Sequence, residues 1–156
     1  MPILRGHCGK GKPLTPIGLA PVLPTPTGVE PILQPPKFPV TRLVALLDTG
    51  ADGTCITTAV AKSHNLRNYG MQWVLGIGGG ESRNTWGMHL GFYYDTDADF
   101  EGDRHTASGL FVLDDPVLAV EIPNKSDFDV IIGRDVLSQF GFYLKRGGEW
   151  EMDLSY

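Results

Sequence analysis

Two cysteines in 156 residues, Cys8 and Cys55, exclude a disulfide scaffold and a cysteine-rich zinc site. Cys55 lies in a strand-like run, which favours a buried free thiol over a single bridge. Long apolar runs are missing, so no segment reaches the length of a membrane span. Arg5, Lys10 and Lys12 precede no apolar signal-peptide core, and the expectation is a soluble, cytoplasmic protein. Basic charge is scarce. Thirteen Lys and Arg face eighteen Asp and Glu, and the net charge of −5 comes without any basic stripe interleaved with aromatics, which argues against a nucleic-acid partner. His7, His64, His89 and His105 are scattered without ligand spacing, so neither metal nor cofactor is expected. There is no Gly-x-Ser-x-Gly elbow. The glycine run 76–80 is followed by no Gly-Lys-Ser/Thr, and Glu81 stands where a dinucleotide loop needs its third glycine.

What is present suits one domain. The apolar fraction is 42%, enough for an ordinary core at this length. Nine of the twelve prolines fall between Pro13 and Pro39. They break every helical period and weaken any central strand, so residues 1–36 read as a Pro/Gly-rich arm, partly polyproline in form. Within it, Ile17 to Leu23 is a candidate edge strand, and the whole arm a candidate pro-segment. His7-Cys8 has no second cysteine nearby to make a metal knuckle. The acidic run 95–103 lacks the glycine and the final glutamate of a calcium loop and reads as a solvated hairpin loop.

Residues 37–156 carry the patterned elements. Val40 to Leu47 is a strand that stops at Asp48, and Thr49-Gly50-Ala51-Asp52-Gly53 follows as a tight turn. A carboxylate at the end of a buried strand is costly unless something compensates it, and such places are often sites of chemistry. Thr54 to Thr57 leaves the turn as a second strand, and Thr58 is placed to cap a short helix from Ala59 to about His64. Met71 to Ile77 and Glu81 to Tyr94 form a hairpin whose return strand alternates Trp86, Met88, Leu90 and Phe92 with polar or small residues. Its glycine-rich tip should be mobile. Asp129 to Ile132 is another buried strand. It enters Gly133, Arg134 and a short helix ending at Gly141. Phe142 to Lys145 and Trp150 to Leu154 make a last hairpin.

Three of these stretches, Leu46-Leu47-Asp48-Thr49-Gly50-Ala51-Asp52, Gly76-Ile77-Gly78 and Val130-Ile131-Ile132-Gly133-Arg134-Asp135, occur in that order. In this order they resemble the retropepsins, the single-lobe aspartic proteases of retroviruses and retrotransposons, together with their cellular and bacterial relatives. The resemblance covers roughly residue 37 to the C-terminus. It implies an all-β fold: a retropepsin-like closed β-barrel, the single-lobe acid protease fold, with a flap hairpin and one or two short helices. It implies an aspartic endopeptidase acting on peptides or proteins as a homodimer, without cofactor or membrane. One carboxylate per chain then has to meet a second, because two carboxylates in contact share one proton and divide the roles of acid and base.

By the same resemblance Asp48, Thr49 and Gly50 match the catalytic turn, with the Thr49 hydroxyl cross-linking the two turns of a dimer. Ala51, Asp52, Gly76, Ile77 and Gly78 match substrate-binding positions. Gly133, Arg134 and Asp135 match the supporting turn, with a buried Asp52–Arg134 pair. Asp135 stands where viral members often have asparagine. A retropepsin-fold dimerisation or peptide-binding module without turnover is the alternative.

Overall fold

The computed structural model describes residues 2–9, 11–23, 36–39, 42–76, 79–95 and 108–155. The flap tip Ile77-Gly78, most of the acidic run and the prolines from Pro24 to Pro35 lie outside the described residues. Among these residues, eleven strands and two short helices follow in order. They are β1 (Ile3–Gly9), β2 (Lys12–Pro21), β3 (Leu43–Leu47), β4 (Cys55–Thr57), α1 (Thr58–Ser63), β5 (Arg67–Gly76) and β6 (Gly79–Asp95). Then come β7 (Ser108–Val112), β8 (Val117–Ile122), β9 (Val130–Ile132), α2 (Arg134–Leu137), β10 (Gly141–Leu144) and β11 (Glu149–Asp153). The all-β expectation holds, and no helix among the described residues is long and apolar enough to cross a membrane.

All eleven strands belong to one hydrogen-bonded sheet. Its pairings return on themselves through β2, β3, β9, β4, β8 and β6, back to β2. Inside this circuit lie Ile17, Leu19, Ala45, Ile56, Met88, Leu90, Phe92, Val130 and Ile132, each with essentially no exposed surface. The alternation of Trp86, Met88, Leu90 and Phe92 along β6 puts all four in this core, as their period-two spacing requires. The hairpin β10–β11 continues the sheet through β1.

The first 23 residues differ from the expected arm. β1 pairs with β11 from Ile3↔Asp153 to His7↔Glu149, and β2 pairs with both β3 and β6. Leu4, Ile17, Leu19 and Ala20 are core residues. Ile17 to Pro21 is therefore already paired within the chain and is no open edge. Cutting the chain at residue 36 would remove two strands from the sheet. The prolines are tolerated for a local reason. Val44, opposite Pro16, spends its amide on the Asp129 carboxylate (2.9 Å) and its carbonyl on the Asp129 amide (2.8 Å). Pro16 therefore sits in a non-hydrogen-bonded pair, and its missing N–H points away from β3.

Helix α1 is capped differently from the sequence reading. Thr57 holds the N-cap position without a side-chain bond, and the Thr58 hydroxyl donates to the Ile122 carbonyl (3.3 Å). The Asn124 side chain caps instead, accepting from the Ala59 amide at 2.9 Å. A cap delivered from 65 residues away satisfies the same orphan donor as a local one.

If β2 is structural, Ile17→Ala should destabilise the protein by about 2–4 kcal/mol, while Leu23→Ala, at a position 78% exposed, should stay within about 0.5 kcal/mol. Urea titration of the two variants separates a core strand from a tail: equal midpoints would mean that β2 is dispensable.

Candidate active site

The site is built where two parallel strands end side by side. β3 and β9 run together through Ala45↔Val130, Leu46↔Ile131 and Leu47↔Ile132. The Asp48 amide extends the ladder by donating to the Ile132 carbonyl (2.9 Å). Asp48 thus begins its turn from a fixed backbone position, half-buried at the strand end. The turn folds back on its own carboxylate. The Gly50 amide donates to Asp48 Oδ1 (2.8 Å), and the Ala51 amide to the Asp48 carbonyl (3.2 Å). A side chain on Gly50 would place its Cβ 3.2 Å from that Oδ1, which is tight enough to push the carboxylate.

Five hydrogen bonds clasp this turn to the one that follows β9. The Arg134 amide donates to the Ala51 carbonyl (2.8 Å) and the Asp135 amide to the Asp52 carbonyl (3.3 Å). Thr54 donates from its amide to Asp135 Oδ2 (3.1 Å) and from its hydroxyl to Asp135 Oδ1 (2.8 Å), and the Gly133 amide donates to the Thr54 hydroxyl (3.2 Å). Thr54 has no exposed surface, so its hydroxyl would be an uncompensated buried group without these partners. Gly133 is required by space and not by its backbone angles. Its φ is −90°, which any residue adopts, but a Cβ there would sit 2.5 Å from the carbonyl carbon and oxygen of Gly53.

The structure thus brings together Asp48, Thr49, Gly50, Ala51, Asp52, Gly133, Arg134 and Asp135. Gly76 ends β5 on the flap, exposed, while Ile77 and Gly78 lie outside the described residues. Arg134 and Asp52 form the expected ion pair, but not a buried one: their side chains are 60% and 88% exposed. In the isolated chain this is a surface pair, of little weight for stability. Thr54 was missed by sequence reasoning. The available signal was a threonine between a turn and a strand, with a carboxylate at position 135 where a pairing partner was needed.

Cys55 follows directly. Its thiol is a free one and donates to the Gly53 carbonyl at 3.6 Å. Burial pushes its pKa up, the Asp135 and Asp48 carboxylates push it further, and Arg83 opposes them.

The flap is β5 with the first part of β6, joined from Arg67↔Gly87 to Gly76↔Gly79 with a register shift between Asn68 and Met71. Only from Thr85 onward does β6 also pair with β8. Arg83 stands at this boundary. It donates to the Glu121 carbonyl of β8 (3.1 Å) and pairs with Glu81. Glu121 in turn accepts from the Trp86 indole (2.8 Å) and from Asn84 (3.3 Å).

Two measurements check the clasp. Gly133→Ala should destabilise the fold by at least about 1–3 kcal/mol through overpacking, whereas Arg134→Gln should leave the unfolding midpoint of the isolated chain near wild type. Cys55 should react with iodoacetamide more slowly than glutathione at pH 8, and Asp48→Asn should speed it, because less thiolate forms when the pKa is raised. Unchanged labelling in Asp48→Asn would separate Cys55 from the Asp48 field.

No individual curated protein matches the chain. The family model of the retroviral aspartyl proteases matches residues 30–145, from before β3 to just past the end of β10 and across both clasped turns, and the chain belongs to that family.

Proposed function

We propose that the protein is an aspartic endopeptidase whose active form is a homodimer, with Asp48 of each protomer flanking one water. The observation that carries this reading is the clasped Asp48 turn. It holds a carboxylate at a strand end, fixed through its backbone and through Gly50, and the described residues contain one such turn. Acid–base hydrolysis of an amide needs two carboxyl groups in different protonation states, so the second has to come from a second copy.

On this reading one Asp48 takes a proton from the water as the oxygen attacks the peptide carbonyl. The other, protonated, gives its proton to the carbonyl oxygen. The tetrahedral intermediate then collapses as the leaving nitrogen is protonated, and the shared proton is restored to the pair. Thr49, exposed beside Asp48, would link the two turns. Asp52 would hold substrate main chain, with Arg134 as its partner. Gly76, Ile77 and Gly78 would close over the cleft and exclude water. The return of the sheet pairings supports describing the framework as the closed barrel of this fold.

Ala51 adds a consequence for pH. It offers no hydroxyl to the ionised pair, so the pair lacks one source of stabilisation for its charged form. The optimum should lie less far on the acid side than where such a hydroxyl is present. A pH–rate profile peaking below about 3.5 would contradict this, since an unperturbed Asp titrates near 3.9.

The decisive test mixes subunits. Asp48→Asn alone should remove peptide hydrolysis while sedimentation still reports the wild-type dimer. When wild type and Asp48→Asn exchange freely in equal amounts, only about one quarter of the dimers keep both carboxylates, and activity should fall accordingly. At the same total protein concentration, a fall only to one half would mean that each chain works alone. Absence of hydrolysis by wild type across pH and peptide libraries would leave a dimerisation or peptide-binding module.

A further inference from the structure

The hairpin of β5 and early β6 leaves one backbone edge open. Among the described residues β5 pairs only with β6 and ends the order of strands, so the outer side of its backbone has no partner. Every residue of β5 except Val74 is exposed. Period-two spacing puts Met71, Trp73 and Leu75 on one face, where they are 68%, 65% and 79% exposed.

The available part of this edge is bounded. Gly70, at φ 106°, donates its amide to the Asn68 side chain (2.7 Å), and its carbonyl accepts from the Thr85 hydroxyl (3.0 Å). The register shift against β6 falls at the same place, so Met71 to Gly76 is the straight and unpaired run. Such edges are ordinarily guarded by Lys, Pro or another charge. Between Asn68 and Gly80 there is no charged residue and no proline. Glu81 and Arg83 pair with each other on the opposite face of the ribbon. With a net charge of −5, two copies repel over most of their surface, and this strand lets them meet without charge.

We propose that β5 pairs antiparallel with β5 of a second copy, about a two-fold axis at Trp73. This register sets Met71 against the partner's Leu75, Trp73 against the partner's Trp73 and Gln72 against the partner's Val74. It matches the apolar run with itself from end to end. A shift of one residue would oppose the apolar face to the polar one, and a shift of two would leave an apolar residue unmatched. Two ribbons that are marginal alone become one four-stranded sheet. A single pair of strand edges falls short of the about 1,200–2,000 Å² of a stable interface, so the association is weak and concentration-dependent. The pairing does not rest on hydrolysis. Where copies also join through the Asp48 face, it adds a second step above that one.

Sedimentation velocity of the full-length protein from about 10 μM to 1 mM tests this. The wild type should pass to a species of doubled mass within that range, and amide exchange should slow at alternate residues from Met71 to Leu75 as it does so. Met71→Lys and Leu75→Glu, each at an exposed position, should weaken that step at least tenfold. The double variant Met71→Lys/Leu75→Glu sets opposite charges across both outer rungs and should recover it, which a merely misfolded chain would not do. Loss in the single variants without recovery in the double would overturn the pairing about Trp73. A step that persists unchanged in Met71→Lys would place the contact on another surface and overturn the proposal. So would a wild type that shows no such step up to 1 mM. Exchange at β5 that is slow at every concentration would mean that another segment of the same chain covers the edge, and would overturn it as well.

Discussion

The structure depends on the clasp between the turn after β3 and the turn after β9. Parallel pairing of Leu47 with Ile132 brings the two strand ends together, and the Asp48 amide closes the last rung of that ladder. Beyond it the chain has no regular partner, so Thr54 and Asp135 take over. One buried hydroxyl accepts from Gly133 and donates to Asp135, and the same carboxylate takes the Thr54 amide. Each such bond contributes only about 0.5–1.5 kcal/mol net, but leaving the buried hydroxyl unpaired costs more than making the bond gains. That asymmetry fixes the turn. It also explains why Asp135 works as a carboxylate here: it accepts from Thr54 on both oxygens and again from the Val136 amide (3.0 Å), more than one amide oxygen can receive in the same geometry.

A fixed turn needs a framework that does not slide beneath it. β2 supplies this by changing partners at Ile17, from β3 over Leu14–Ile17 to β6 over Ile17–Pro21. A register slip of either pairing would turn Ile17 and Leu19 out of the core. β6 carries the opposite gradient. Its far end is held by β2, β7 and β8, while its first residues have only β5. A two-stranded ribbon is marginal by itself. Here it is braced by rings laid across glycines, Trp73 on Gly80 and Tyr69 on Gly87, each close enough that a Cβ on the glycine would collide with the ring. The hairpin thus grades from core-anchored at Thr85 to held by β5 alone toward Gly79.

Much of this was legible in the sequence. The run into Asp48, the alternation from Trp86 to Phe92 and the Gly133-Arg134 turn each have a local period or punctuation that the structure reproduces, although β3 begins only at Leu43 and α2 ends at Leu137. The failures share one cause: the deciding partner is distant in the chain. Prolines argue against strands on local grounds, and only the Val44–Asp129 contact shows why Pro16 is harmless. Thr58 looks like a cap until Asn124 arrives from the end of β8. Thr54 looks like an ordinary strand-start threonine until Asp135 is placed against it. The Asp52–Arg134 pair was foreseen, but its burial was not a property of one chain.

That last difference bears on how the site works. Asp52 and Arg134 lie largely open, and Thr49 and Gly50 are exposed beside a half-buried Asp48. One carboxyl cannot act as base and acid at once, so a single Asp48 has no acid beside it. Desolvation and a like charge are the two means of raising one carboxyl of a pair, and a second copy seated on this open face would bring both at once. The clasp makes such an arrangement workable, because two preformed turns have little left to order when they meet, and the entropy of fixing them is lost in folding and not in association. On the proposed reading, each chain therefore builds half of the site to completion, and only the electrostatics of the carboxyl pair waits for the other half.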